Sequence, residues 1–567
     1  MNTKSFVCNQ LTICKSNYKL IIVSLIVLFF CNQSSEAKYS GGIGDPNNPY
    51  KIATADDLIL LGESPEDYGK RFLLAADIDL SGYVFTAAVI APDVDDQQNM
   101  FQGNKFSGVF DGNDFAVRCL HIQGQDYLGL FGNIKEGARI INLRLEAVDV
   151  NGIGNRIGAL AGNNLGHISN CYSSGTVHGD NHVGGLVGRN DDDGDISGCY
   201  SSGTVSGYGF VGGLVGYNDD DAGIVECHSK VIVEGNNRIG GLVGYNYEAS
   251  IVSCSSVSTV TGIIHVGGLI GKCDEDTNIR GCYCISTVIG EEDTGGLVGL
   301  ADETSIIDSN CISTVTGQND TGGLIGQSSE GGATSCYSLS VVKGQTNTGG
   351  LVGRNDEGSV RDSYCTVTVT GQYNTGGLVG RNDDGFVTDC YSAATVLGQN
   401  NTGGLVGESY EAGVHSCYSF GVVDGNEFVG GLVGRNNEES SISNCYSKAS
   451  VKGKKRVGGL AGTIEEDSVV FKSYSTGAVI AESLAGGLVG QNTDGDIMDS
   501  FWDVNRSGQE NSAGGTGLTT AEMQTESTFT DAGWDFIGET DNGTDDIWWI
   551  DKGNDYPRLW WEAVQSE

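Results

Sequence analysis

The side chains best placed to do chemistry in this chain are carboxylates gathered in short runs. Asp191, Asp192, Asp193 and Asp195 form one run, and Asp219, Asp220 and Asp221 form another 28 residues further on. Calcium takes about six to eight oxygen ligands, and carboxylates from two adjacent turns of chain could supply several of them. The run Asn190 to Asp195 does not have EF-hand spacing, and the glycine-rich nonapeptide calcium repeat is missing. Weak Ca²⁺ binding is therefore set against solvated turn residues, and the second reading is favoured. Aromatic residues make a second pattern: Tyr337, Tyr364, Tyr391, Tyr418 and Tyr446 recur at 27 or 28 residues. Such a stripe could hold a polysaccharide or a protein partner, or it could stack on itself and stabilise a sheet surface. Self-stacking is favoured. No G-x-S-x-G, H-E-x-x-H or phosphate-loop pattern is present, so the chain is expected not to be an enzyme.

The interval itself is the stronger signal. Gly-Gly-Leu-Val-Gly or a close variant returns along the chain, and from Leu160 to Leu488 its Leu takes twelve steps over 328 residues, a mean of 27.3. A period between about 20 and 50 residues marks a repeat architecture. Nine positions before each Leu, from Val177 to Val479, stands Val, and fifteen before it stands Cys in nine coils, from Cys171 to Cys445. Side chains two apart share one face of a strand, so Cys, Ser, a small residue and Val would line a narrow interior. An Ile or Val eighteen before the Leu marks a further strand. Three short strands per coil of about 27 residues make a parallel β-helix, an all-β solenoid, and right-handed winding is expected because parallel crossovers take that hand. Gly seven before the Leu fits a corner that needs positive φ or close approach. Asn four after it, as at Asn190 and Asn382, fits an amide stack along the axis. Thr294, Thr321, Thr348, Thr375 and Thr402 stand three before the Leu and fit inward positions isosteric with Val.

Composition agrees with this reading. Gly accounts for 88 residues and Pro for 5, with no Pro between 93 and 556, and Pro would remove a ladder donor from a central strand. Residues 1–37 read as a signal peptide, with Lys4, Lys15 and Lys19 ahead of an apolar run from Leu20 to Cys31. That run is short for a span, and no later stretch could cross a membrane. Without residues 1–37 the chain carries 29 basic and 72 acidic residues, a formal charge of −43. This field repels nucleic acid and anionic membranes. Export makes disulfides possible, yet stacked Cys are expected to be buried thiols, with Cys284 and Cys311 the best bonded pair. Zinc is not expected, because His178 and His182 lack partners at ligand spacing.

The ends differ from the middle. Residues 38–150 are read as an N-terminal cap and irregular first coils, with Thr54 to Asp57 resembling a capping box ahead of a short helix. Residues 151–498 are the repeats. Residues 499–567 hold all six Trp and are read as a cap with an aromatic core, in preference to a carbohydrate-binding face.

The repeat Val/Thr-Gly-Gly-Leu-Val-Gly-x-Asn preceded by Cys-Tyr-Ser resembles the GLUG-motif family over about residues 125 to 498. The resemblance implies a secreted or cell-envelope β-solenoid of the adhesin-like kind, and it implies no catalytic activity. The expected role is surface adhesion or an extracellular scaffold, with an unidentified cell-surface or extracellular glycan or protein as partner. The alternative is a polysaccharide-binding or lyase-like protein that uses the Asp corners or the Tyr stripe.

Overall fold

The computed structural model describes residues 38–95 and 100–564, and the expected signal peptide lies outside the described residues. The chain forms a parallel β-solenoid of about 15 turns with about 27 residues per turn. One coil shows the pattern: β1 (Asn181–Gly184), β2 (Val187–Asn190), β3 (Asp195–Ser197) and β4 (Tyr200–Ser206). Each strand pairs in parallel with its equivalent one coil on, as in Val187↔Val215, Ile196↔Ile224 and Val205↔Val233. Successive β1, β2 and β3 equivalents build sheets of 13, 14 and 17 strands, and the β4 equivalents build a fourth face.

Four strands per coil, the fourth broken in two from Tyr337 onward, replace the three expected from the sequence. The Gly-Gly-Leu-Val-Gly segment is not one strand, because the chain bends between its second Gly and its Val. At that bend both Leu186 N–H and Val187 N–H donate to the Leu214 carbonyl. The bend brings backbone against backbone. A Cβ on Gly349 would stand 1.9 Å from the Val352 carbonyl oxygen, so only Gly fits there. The Gly seven before the Leu works by close approach as well, not by positive φ: a Cβ on Gly179 would meet Ile157 Cγ1 at 2.7 Å.

The corners that do need positive φ are mostly not glycine, Gly198 (φ 60°) and Gly281 (φ 62°) being exceptions. Each coil turns at one residue four before the Leu (Phe210, φ 54°; Arg238, φ 58°), one six after it (Asp220, φ 47°; Glu248, φ 46°) and one sixteen before it (Asp362, φ 48°; Asp389, φ 54°). Asp and Asn tolerate this region better than most side chains. The Phe and Arg corners are held there by the hydrogen-bonded coils on either side.

The interior follows the expected columns. The repeat Leu, the Val nine before it and the Ile or Val eighteen before it (Ala333 in one coil) are nearly or fully buried from Leu186 to Leu460. Cys does more than fill space. Cys171 N–H donates to Cys199 Sγ at 3.4 Å, and the contact recurs from Cys199 to Cys227 and from Cys390 to Cys417. Where Ser takes the place, as at Ser309, Ser363 and Ser473, its hydroxyl accepts the same N–H at 3.1 Å. A buried backbone donor is thus satisfied by either atom. Cys284 and Cys311 are register partners whose sulfurs lie 2.6 Å apart, and both are free thiols.

The five stacked Thr are wholly buried, and none of their hydroxyls has a hydrogen-bond partner. A buried unsatisfied hydroxyl costs about 1–3 kcal/mol. Other coils place Val211 or Val429 at this position. Thr348→Val is therefore expected to raise stability by about 1 kcal/mol, seen as a higher denaturation midpoint. An unchanged or lower midpoint would mean that the hydroxyl has a partner in solution.

Both ends of the rod are covered. At the N-terminal end, helix α1 (Ala55–Gly62) starts with the reciprocal Thr54–Asp57 capping box and buries Leu58 and Leu61 in the core that holds Ile52, Phe72 and Leu74. At the other end Trp502 closes the interior, its indole N–H donating to Gln509 O at 3.0 Å. Residues beyond it fold back along the outside. Trp534, Trp548, Phe529 and Phe536 form a second core that also takes in Tyr446 and Tyr474.

Candidate functional site

Three surface features gather polar or aromatic side chains: the Asp corner, the column four before the Leu, and the Tyr stripe. At the Asp corner the structure brings together Asp191, Asp219 and Asp220, with one carboxylate oxygen from each within 4.8 Å of the others. Asp192, Asp193 and Asp221 are exposed and lie outside this group. Asp195 also lies outside it and faces His167, 3.1 Å away. The competitor for a cation is a residue whose position three after the Leu is legible in the sequence: Arg189 donates to Asp191 at 2.9 Å and to Asp219 at 2.6 Å. Burial pushes the Asp191 carboxyl above its ordinary range, and Arg189 opposes that shift. The corner is thus already partly neutralised, and calcium there would have to displace a guanidinium. The same pairing recurs where Arg354 donates to Asp383 at 2.8 Å and Arg435 donates to Glu408 at 3.2 Å.

Just inside this corner runs the Asn column. Asn190 donates to Asn218 Oδ1 at 2.8 Å and to Gly194 O at 2.6 Å, and Asn382 closes its own turn on Gly385 O at 3.0 Å. These amides are wholly buried. They hold the turn and stack along the axis, and none of them faces solvent as a ligand group would.

The column four before the Leu was not legible as a feature, because its residue types change from coil to coil. It includes His182, packed between Phe210 and Tyr217 at ring distances of 4.9 and 5.3 Å. Burial, together with Arg156 and Arg189, holds the His182 imidazole down at about 3. Arg238 then lies over Phe210 and Tyr245, a cation–π arrangement. Further along, Asn401, Asn374 and Asn347 each donate to the preceding residue at 2.7–2.8 Å, ending on Asp320.

Asp320 gives this ladder a pH dependence. Burial pushes its carboxyl up to about 6, although the Asn347 amide opposes the shift. The folded state therefore holds the proton more tightly than the unfolded state. Stability falls as pH rises from about 4 to about 6, and the full penalty applies at pH 7. Asp320→Asn, which extends the amide ladder, is expected to raise stability at pH 7 by about 3 kcal/mol and to flatten the profile between pH 4 and 6. Equal pH profiles for the two proteins would contradict the assignment.

The Tyr stripe stacks as a column. Tyr337, Tyr364, Tyr391, Tyr418 and Tyr446 follow one another with ring centroids 4.9–5.2 Å apart and planes within 7°. The C-terminal segment covers its far end. Tyr446 is buried, its hydroxyl donating to Glu562 at 2.9 Å, so it is not part of a ligand surface. Trp561 lies 5.3 Å from the Tyr418 ring and 6.3 Å from Tyr391. Tyr364 and Tyr337 continue beyond it, half-buried. Of the Trp residues, only Trp560 is strongly exposed. Among the described residues no helix is long and apolar enough to cross a membrane.

Comparison with known proteins agrees with the repeat. The GLUG motif family profile matches residues 153–177, 179–206, 235–261, 344–370 and 425–452, so the chain carries five GLUG motif repeats. Over 161 residues the chain is 34% identical to "Halomucin" of Haloquadratum walsbyi, a match covering 27% of this chain and 2% of that protein. Over 210 residues it is 31% identical to a "Putative Gly-rich membrane protein" of Evansella cellulosilytica, covering 30% of this chain and 23% of that one. The chain thus spans a minor part of both relatives. A crystal structure titled as a "putative immunoglobulin A1 protease" from Bacteroides ovatus aligns over 81% of this chain and 87% of that one, at 13% identity and a TM-score of 0.19. That score is too low to carry an argument about either fold or activity.

Proposed function

We propose that this chain is a surface or extracellular repeat rod that acts in adhesion or as a scaffold, without catalysis. The observation that carries the reading is the sameness of successive coils. Polar groups that recur bond to one another along the axis, as in the Asn ladder and the Arg–Asp corners, so they serve the stack. The names of the relatives, one a halomucin and one a glycine-rich membrane protein, support a surface location. The aromatic stripe between Tyr337 and Trp561 is the face on which a partner would dock.

Fractionation of cells producing the full chain tests this directly. The protein is expected on the cell envelope or in the medium, and a cytoplasmic location would overturn the reading. Incubation with acidic polysaccharides is expected to release no unsaturated sugars. Their release would establish the lyase-like alternative.

A further inference from the structure

Where the C-terminal segment ends its run along the Tyr stripe, it leaves a cleft. Tyr364, Tyr391 and Trp561 supply the aromatic walls, and Asp362, Asp389 and Ser363 supply the rest of a cavity of about 150 Å³. At roughly 30 Å³ per water, this is room for about five water molecules, the scale of a small headgroup and not of a long chain. Asp362 and Asp389 occupy the same left-handed corner of successive coils, so their carboxylates come from neighbouring turns onto one rim.

The two carboxylates differ from those of the Asp corner. No hydrogen bond or ion pair joins either of them to another described residue, whereas Asp191 and Asp219 share Arg189. Burial raises the Asp389 carboxyl above its ordinary range, the neighbouring Asp362 adds to the shift, and Arg361 only partly offsets it. Ser363 does not donate into the cleft, because its hydroxyl is committed to Arg361 O at 2.6 Å. The cleft therefore offers negative charge and aromatic rings. A ligand that fits must bring positive charge and an apolar skin. A bare divalent ion would find two carboxylates where it needs about six oxygens. An organic cation would meet both features, because the carboxylates neutralise its charge and the aromatic walls cover its apolar groups.

We infer that the cleft between Trp561 and the Tyr364–Tyr391 pair binds an organic ammonium group. The inference names a ligand chemistry for the aromatic stripe of the proposed surface role, and it stands or falls separately from cellular location. Calorimetric titration of the full chain with choline, at constant ionic strength, is expected to give saturable binding at one site. Its neutral carbon isostere, 3,3-dimethylbutan-1-ol, is expected to bind at least ten-fold more weakly. The double variant Asp362→Asn, Asp389→Asn should lose choline binding while melting as the parent does, since Asn accepts the same corner conformation. Trp561→Ala should weaken binding as well. No saturable choline binding, equal affinity for the isostere, or unchanged binding in the double variant would each overturn the assignment.

Discussion

Replacing Gly349 by Ala is expected to cut the rod in two. The new Cβ would lie 1.9 Å from the Val352 carbonyl oxygen and 2.8 Å from Gly380 N. Both neighbours are backbone, so no side chain can swing away. Gly349 also pairs in register with Gly322 on one side and Gly376 on the other, and a shift of its strand is passed to both coils. The cost is expected to reach about 4 kcal/mol or more, the range reserved for backbone conflicts and buried cavities. In a stack where each coil touches only its neighbours, such a fault uncouples the two halves. Denaturation should change from one transition to two, and amides of the strands around Gly349 should lose protection from exchange. Gly82, where an added Cβ would meet nothing within 4 Å, supplies the control: Gly82→Ala should leave both readouts unchanged. A single unaltered transition in Gly349→Ala would mean that the bend is looser than described.

The second large effect is expected at Trp548. Its ring is fully buried, 4.7 Å from Trp534 and 6.1 Å from Tyr474. Trp548→Ala should cost about 3–5 kcal/mol, as large aromatic truncations in cores do. Because this core joins the C-terminal segment to the outside of the last coils, the loss should be local. Amide protection and resistance to protease are expected to drop between residues 519 and 564, while the coils from Leu186 to Leu378 keep theirs. A uniform loss along the whole rod would show that the cap is needed for the stack itself. No loss would show that the cap is held from elsewhere.

What the sequence could reveal follows from what repeats. Val177 and its equivalents, the Cys column and the Asn column recur because each stacks on a copy of itself, and period alone exposes them. The left-handed corners escaped notice for the opposite reason. Phe210, Arg238, Asp320 and Asn347 occupy one corner with different side chains, and the conformation is imposed by neighbouring coils. The bend inside Gly-Gly-Leu-Val-Gly was hidden because a run of apolar and small residues reads as one strand. Glycine at Gly179 could equally have meant positive φ or close packing, and only coordinates separate the two.

The sites divide along the same line. The Asp runs were visible as composition, yet their ion pairs depend on Arg189 reaching across a coil to Asp219. The Tyr stripe was visible as a period, yet the burial of Tyr446 depends on Glu562, 116 residues away in sequence. No local signal carries that contact. The Trp-rich segment could be read as a cap from composition. That it folds back along the stripe, and so creates the cleft at Trp561, could not.

Electron paramagnetic resonance on paired nitroxides tests the stacking of equivalent residues most directly. Thr395 and Val422 lie on the outer face and are register partners in adjacent coils. Nitroxides carried there on ketone-bearing residues leave the native thiols untouched. One coil of separation, about 4.8 Å between backbones, should give strong spin exchange, and the pair Thr368 and Val422, two coils apart, should give dipolar broadening without exchange. Sharp, uncoupled spectra from both pairs would contradict the in-register rod.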